Sequence, residues 1–317
     1  IVGVAIMFGI SKIDYKLWQK NYKVIFTACI VLLLGVCVLG ASSGGATRWL
    51  DLGFISFQPS EVAKVGIIIF YSAWLTKNKD KLKSIKEGFF TPLAMLIPIV
   101  IIVLGFQTHF SATLVMCMLV AILMILAGCR IRYFIMFGVP LAVLAVVGIL
   151  ALGQGFRLQR VITFLDPWKY ADDEGWQIIQ SLYAIGSGGF FGVGLGESKQ
   201  KYLYIPEPHN DFIFAVLAEE LGFIGCAIVI ILFAILIWRG ITISMKAPDM
   251  FGSLLAAGIT SMIAIQVLIN IAVVTSSMPV TGMALPFFSY GGTALIIILA
   301  SVGILLSISR AGNRTNS

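Results

Sequence analysis

The chain has 317 residues, 59% hydrophobic and only 12% charged, with a mean hydropathy of +0.99. Soluble domains carry about half apolar and about a quarter charged residues, so this balance excludes one and indicates an all-α polytopic membrane protein. The formal charge of +7 is no mark of nucleic-acid binding, because it collects in short loops between apolar runs, and the alternating strands of a barrel are absent.

Residues 1–10 are apolar but cover only ~15 Å at ~1.5 Å per residue, too little to cross a bilayer alone. A chain that starts at Ile1 inside such a run reads as beginning within a span, with at least one helix ahead of it, and no cleavable signal peptide is visible. Apolar runs follow at 24–39, 62–75, 89–106, 111–128, 133–153, 212–237, 252–275 and 293–309. Each is near the ~20 residues of a span, which predicts about nine membrane helices, the first partial. Pro98 and Pro140 fall inside two of these runs, where a missing amide predicts a kink. Cys29, Cys37, Cys117, Cys129 and Cys226 lie within or at the ends of the runs without a CxxC pair, and read as small buried residues.

Loops 11–23, 76–88, 129–132, 239–251 and 310–317 hold 15 of the 22 lysines and arginines, against only Asp14, Asp80, Glu87 and Asp249 among the acids. The positive-inside rule makes these loops and the C-terminus cytoplasmic, where basic side chains face anionic lipid. The longer segments 40–60, 154–210 and 276–292 then lie outside. Polar elaboration concentrates there, so a functional site is expected on the outer face.

The first outer segment carries Arg48 beside Trp49. The pair suits a membrane anchor; the sharper alternative is a phosphate-binding arginine, whose fork matches phosphate oxygens. At 58–64, Gln-Pro-Ser-Glu-Val-Ala-Lys opens a span. Pro59 suits a first helical position, and Glu61 and Lys64 share a face at i,i+3. A structural ion pair is favoured slightly over a catalytic role, and both hold if the pair lines a cavity. Residues 186–196 contain six glycines, but the dinucleotide spacing fails in every frame. Such backbone suits close approach to a ligand or a re-entrant turn.

Residues 206–223 hold the densest chemistry: Glu207, His209, Asp211, Glu219 and Glu220 at the mouth of an apolar helix. Ionised groups at membrane depth are costly and usually face a polar cavity or a partner. Asp211 after Asn210 suits a helix cap equally well as a general base, since a partly desolvated carboxylate can take a proton from a hydroxyl. Glu219 lies ~12 Å deeper and roughly 80° around the helix, which a cap does not need. Two prolines and three glycines break the stretch 278–292 before the last span. His109 and His209 offer no structural zinc site. Outer carboxylates with a ligand phosphate are compatible with a loosely held divalent cation, Mg or Mn.

Several long motifs in order resemble the SEDS family, the FtsW/RodA/SpoVE proteins of bacterial cell-wall synthesis. They are Thr47-Arg48-Trp49-Leu50, Gln58-Pro59-Ser60-Glu61 with Lys64, 164–168, 175–181, 192–198, 206–222, 279–282 and 289–292. The resemblance covers nearly the whole chain. It implies ten transmembrane helices in the family, about nine of them here, in a single membrane domain over 1–317 with a large extracellular loop over 154–211. It also implies a peptidoglycan glycosyltransferase of the bacterial cytoplasmic membrane that polymerises lipid II, an undecaprenyl-pyrophosphate-linked substrate, on the outer face. The family's essential aspartate maps onto Asp211 and its helix-start glutamate and lysine onto Glu61 and Lys64, with Arg48 and His209 as further substrate-binding candidates. The partner implied is a class B penicillin-binding transpeptidase. The residues 272–275 and 279–292 look closer to FtsW and SpoVE than to RodA. Two departures stand out. Gln107-Thr108-His109 replaces the Gln-Pro-Asp of many members, and Ser276-Ser277 replaces a glycine and an apolar residue. Rival readings are a flippase for the same lipid, which needs a polar path to the cytoplasmic side, and a non-catalytic scaffold for the transpeptidase.

Overall fold

The computed structural model describes residues 1–43, 46–51, 56–140, 143, 156–172, 175–199 and 210–315. Its helices are α1 (Val2–Lys12), α2 (Lys16–Lys20), α3 (Tyr22–Leu39), α4 (Pro59–Lys77), α5 (Lys86–Phe106), α6 (Phe110–Leu126), α7 (Phe156–Leu165), α8 (Gly175–Gly188), α9 (Ile213–Met245), α10 (Met250–Val274) and α11 (Gly292–Thr315). Among the described residues, α3, α5, α9, α10 and α11 are long and apolar enough to cross a membrane, and α1 and α6 are shorter apolar helices. Most of the predicted run 133–153 lies outside the described residues. The predicted 40–60 segment carries a small antiparallel sheet of β1 (Ala41–Ser43), β2 (Ala46–Asp51) and β3 (Ser56–Phe57), with Ser42 opposite Thr47 and Leu50 opposite Phe57.

The described residues form two compact units. The first takes those of Ile1–Tyr133, Ile237–Ile263 and Gly291–Ser317. Here α4 lies between α3 and α6, and α1 lies along α11. Ile67, Ile68, Tyr71 and Leu75 of α4 are fully buried, and the Tyr71 hydroxyl donates to the Pro92 carbonyl at 2.7 Å. Pro98 leaves α5 one amide short, and π-helical turns follow over Ile101–Phe106.

The second unit takes the described residues of Phe134–Leu236 and Ala264–Tyr290. α8 is tied to the end of α10 by Ser181 Oγ, which donates to the Val274 carbonyl at 2.8 Å. The run 212–237, expected as one uninterrupted span, is broken at Gly222, where φ is 65° and ψ −166°. α9 also extends past residue 237 to Met245, which shortens the expected loop 239–251.

The break removes two helical rungs, those from Phe223 to Glu219 and from Ile224 to Glu220. The glycine-rich segment after α8 replaces both. The Val193 and Gly194 amides donate to the Glu219 and Glu220 carbonyls at 3.0 and 3.1 Å, while the Phe223 and Ile224 amides donate to the Gly189 and Phe190 carbonyls at 2.9 and 3.2 Å. The stretch 189–194 within the glycine-rich segment is therefore a backbone clasp. Gly222 itself faces the Gly192 nitrogen with no room for a methyl group. Gly222→Ala is expected to destabilise the protein by more than about 2 kcal/mol, from positive φ and overpacking together. Thermal unfolding of the purified protein in detergent measures this, and an unchanged midpoint contradicts the clasp.

Candidate active site

In the first unit the predicted Glu61 and Lys64 pair, and Arg48 and Lys64 both act electrostatically on His109. Proline at the head of α4 sets Glu61 in the first turn, where a carboxylate suits the helix end, and Lys64 follows one turn on. Lys64 Nζ lies 2.8 Å from Glu61 Oε1; the lysine is 1% exposed and the glutamate 16%. The pair lets two charges enter an apolar helix bundle, as the structural reading of the sequence has it. Arg48 on β2 donates from Nη2 to the Thr108 carbonyl at 3.1 Å, at a turn where Thr108 has a φ of 50°.

The next residue, His109, caps α6. Its Nδ1 accepts the Ala112 amide at 3.1 Å, and its Nε2 lies 3.0 Å from the Gln58 carboxamide. With Nδ1 accepting, Nε2 carries the proton, and turning the Gln58 carboxamide over, so that its oxygen replaces the Nε2 now facing the ring, makes it the acceptor. Burial pushes the His109 pKa down to about 3, and the positive charges of Arg48 and Lys64 add to this. His109 is therefore a neutral imidazole that locks the turn carrying Thr108 to the start of α4. Sequence reasoning marked it only as a departure from the family motif, because its partner Gln58 lies 51 residues away and no local pattern links them.

In the second unit Asp211 sits in the turn that opens α9, half-buried. Asn270 Nδ2 donates to the Asp211 carbonyl at 2.8 Å and to the Met283 carbonyl at 2.7 Å. Ser289 Oγ donates to the Asn210 carbonyl at 2.7 Å and accepts the Leu285 amide at 2.7 Å. Gly282, with φ 67°, passes beneath the carboxylate: a β-carbon there would lie 3.2 Å from Asp211 Oδ2. Arg160 Nη1 donates to the Val280 carbonyl at 3.1 Å and pins the same stretch. The broken segment 278–292 is thus the seat of the Asp211 turn. The sequence did not single out Asn270, which looks like an ordinary polar residue, and Ser289 entered only as part of the motif 289–292.

Glu219 is 3% exposed, two turns beyond Asp211. It accepts Ser198 Oγ at 2.5 Å and the Lys199 amide at 3.1 Å. It is the side-chain half of the clasp. His209 and Glu207 lie outside the described residues. Among those described, no three His, Cys, Asp or Glu side chains gather to hold a metal ion.

Residues 1–314 match the FTSW_RODA_SPOVE family, described as "Cell cycle protein". The chain belongs to this family. Its FtsW/RodA/SpoVE relatives include "Stage V sporulation protein E" of Bacillus subtilis (strain 168), 43% identical over 311 residues that span 98% of this chain and 84% of that one. Another is "Probable peptidoglycan glycosyltransferase FtsW" of Geobacter sp. (strain M18), 42% identical over the same shares. Among solved structures, one described as "Structural coordination of polymerization and crosslinking by a peptidoglycan synthase complex" contains a chain that matches with a TM-score of 0.84 at 27% identity, over 98% of this chain and 87% of that one. The Thermus thermophilus rod shape determining protein RodA matches with a TM-score of 0.70 at 27% identity, over 97% and 84%. The nearness to SpoVE and FtsW over RodA read from the last motifs agrees with these identities. The FtsW/RodA/SpoVE fold and the long apolar helices make the chain a multi-pass membrane protein.

His109 yields a pH test. The folded protein refuses a proton that the unfolded chain accepts below about pH 6.5, so its stability is full above that value. Stability falls as pH drops from about 6.5 towards the folded pKa of about 3, by at most roughly 1.4 kcal/mol per pH unit. Unfolding midpoints measured from pH 7 to 4 are expected to fall more steeply for wild type than for His109→Gln. Parallel curves contradict the buried neutral imidazole.

Proposed function

We propose that this chain is a peptidoglycan glycosyltransferase that polymerises lipid II on the outer face of the bacterial cytoplasmic membrane, with Asp211 as its general base. The observation that carries the reading is the fixed seat of Asp211. Asn270 holds its backbone carbonyl, Ser289 holds that of Asn210, and the bare backbone of Gly282 comes up against its carboxylate. A base must keep one geometry to accept a proton in the transition state. The names of the FtsW relatives and the concentration of polar segments opposite the basic loops support the activity and the face.

In the reaction the 4-hydroxyl of an acceptor sugar attacks the anomeric carbon of the donor. The new glycosidic C–O bond forms as the bond from that carbon to the phosphate oxygen breaks. Asp211 takes the hydroxyl proton, and the lipid pyrophosphate leaves with the bonding electrons. The leaving group needs positive charge. Arg48 and Lys64 are the cationic candidates, and Lys64 is paired with Glu61. A divalent cation would add positive charge at the pyrophosphate. His209 stays a substrate-binding candidate on sequence grounds. A class B penicillin-binding transpeptidase is the partner that fits, supported by the match to a chain from a complex of polymerisation and crosslinking. One relative is named for sporulation and another as a probable peptidoglycan glycosyltransferase.

Full-length protein with its transpeptidase and labelled lipid II is expected to make glycan, and Asp211→Asn to make none. Wild-type rates in Asp211→Asn would remove it from the chemistry. Glycan made by the transpeptidase alone would favour the scaffold reading, and partner-free translocation of lipid II in vesicles would favour the flippase. Gly282→Ala, which presses a methyl on the Asp211 carboxylate, is expected to lower the rate by at least about tenfold. Retention of full activity there would show that this contact does not position the base.

A further inference from the structure

One cavity belongs to neither group of site residues. In the first unit, the C-terminal ends of α9 and α11 enclose about 80 Å³, lined by Arg239, Thr242 and Lys246 on one side and Ser309, Gly312 and Asn313 on the other. That is well above the ~15 Å³ that one water-sized group needs. No acidic side chain lines it. Neither Arg239 nor Lys246 pairs with a carboxylate among the described residues. The nearest acid in sequence, Asp249, is already engaged: Oδ2 accepts the Tyr15 hydroxyl and Oδ1 the Gly252 amide, both at 2.7 Å.

Lys246 follows the last turn of α9, where a cation relieves the negative end of the helix dipole. That accounts for one charge. Arg239 is almost two turns earlier and caps nothing. Thr242 gives its hydroxyl proton to the Trp238 carbonyl at 2.9 Å. The donors that remain to converge on the cavity are therefore the Arg239 guanidinium, the Lys246 ammonium, the Asn313 carboxamide and the Ser309 hydroxyl. This set is rich in donors and positive, which suits a phosphate group.

The neighbouring surface says where such a phosphate comes from. Trp238, Ile241 and Met245 are 73%, 50% and 80% exposed on the same end of α9. An exposed tryptophan flanked by aliphatic side chains marks the level of lipid headgroups. This end also carries the basic loops, hence the leaflet rich in anionic lipid under the positive-inside rule. We infer that the cavity between the ends of α9 and α11 binds the phosphate of an anionic phospholipid, with its acyl chains running past Ile241 and Trp238 towards the bilayer interior.

The test uses the full-length protein in mild detergent, with equal amounts of phosphatidylglycerol and phosphatidylcholine, read by native mass spectrometry. Wild type is expected to retain phosphatidylglycerol preferentially. Arg239→Gln with Lys246→Gln is expected to lower that preference by roughly tenfold. Lys79→Gln with Lys83→Gln, an equal charge change on exposed loop lysines, is expected to leave it intact. Unchanged preference in the first variant, or an equal loss in both, overturns the site. A parallel series adds millimolar inorganic phosphate to lipid-free protein. If phosphate raises the unfolding midpoint of wild type, and phosphatidylglycerol adds nothing further, the cavity takes free phosphate and the lipid assignment fails.

Discussion

The second unit depends on one constraint: backbone amides and carbonyls in an apolar surrounding must each find a partner. A helix meets this by itself, and a broken helix does not. At Gly222 the chain leaves helical geometry and two rungs are lost. Four orphaned groups in lipid-like surroundings would cost several kcal/mol each. The segment 189–194 supplies all four partners, and its glycines allow the close approach and positive φ that this requires. The Glu219 carboxylate then anchors Ser198 and the Lys199 amide. The loop that leads towards Asn210 and Asp211 is thereby fastened at its near end to the helix that Asp211 opens.

The first unit meets the same constraint for charge. Lipid tails are as apolar as leucine, so burying Ile67 or Leu75 against other helices gains packing but little transfer energy. Polar contacts carry more of the specificity. Lys64 is buried only because Glu61 lies one turn away, and truncating one partner alone would strand the other. His109 stays neutral and uses both ring nitrogens to join α6 to α4. These contacts hold Arg48, on a small sheet, against a turn of defined shape.

The Asp211 turn shows how such bonds fix one carboxylate. Its carbonyl, and that of Asn210, are held by side chains from α10 and from the broken stretch before α11. The carboxylate itself is left beside the bare backbone of Gly282. Fixing the main chain in this way would hold the carboxylate in one place for the role proposed for it. A helix cap alone would require neither Asn270 nor Ser289.

Much of this was legible in the residues. Composition and run length are enough for an all-helical membrane protein, because a bilayer leaves no other way to satisfy a polytopic backbone of this kind. The helix-start motif already contained the Glu61–Lys64 pair, since i,i+3 neighbours meet on any helix. The ordered motifs carried the family. What the sequence alone could not decide were pairings between distant segments. Whether 186–196 approaches a ligand or mends a helix depends on the break at Gly222, and six glycines look the same in either case. Gln58 with His109, and Asn270 with Asp211, lie 51 and 59 residues apart. The polar cavity between α9 and α11 likewise needs two helix ends that the sequence separates. Local periodicity determines which segments become helices. Which backbone groups go unsatisfied, and which distant side chains reach them, is decided only when the helices pack.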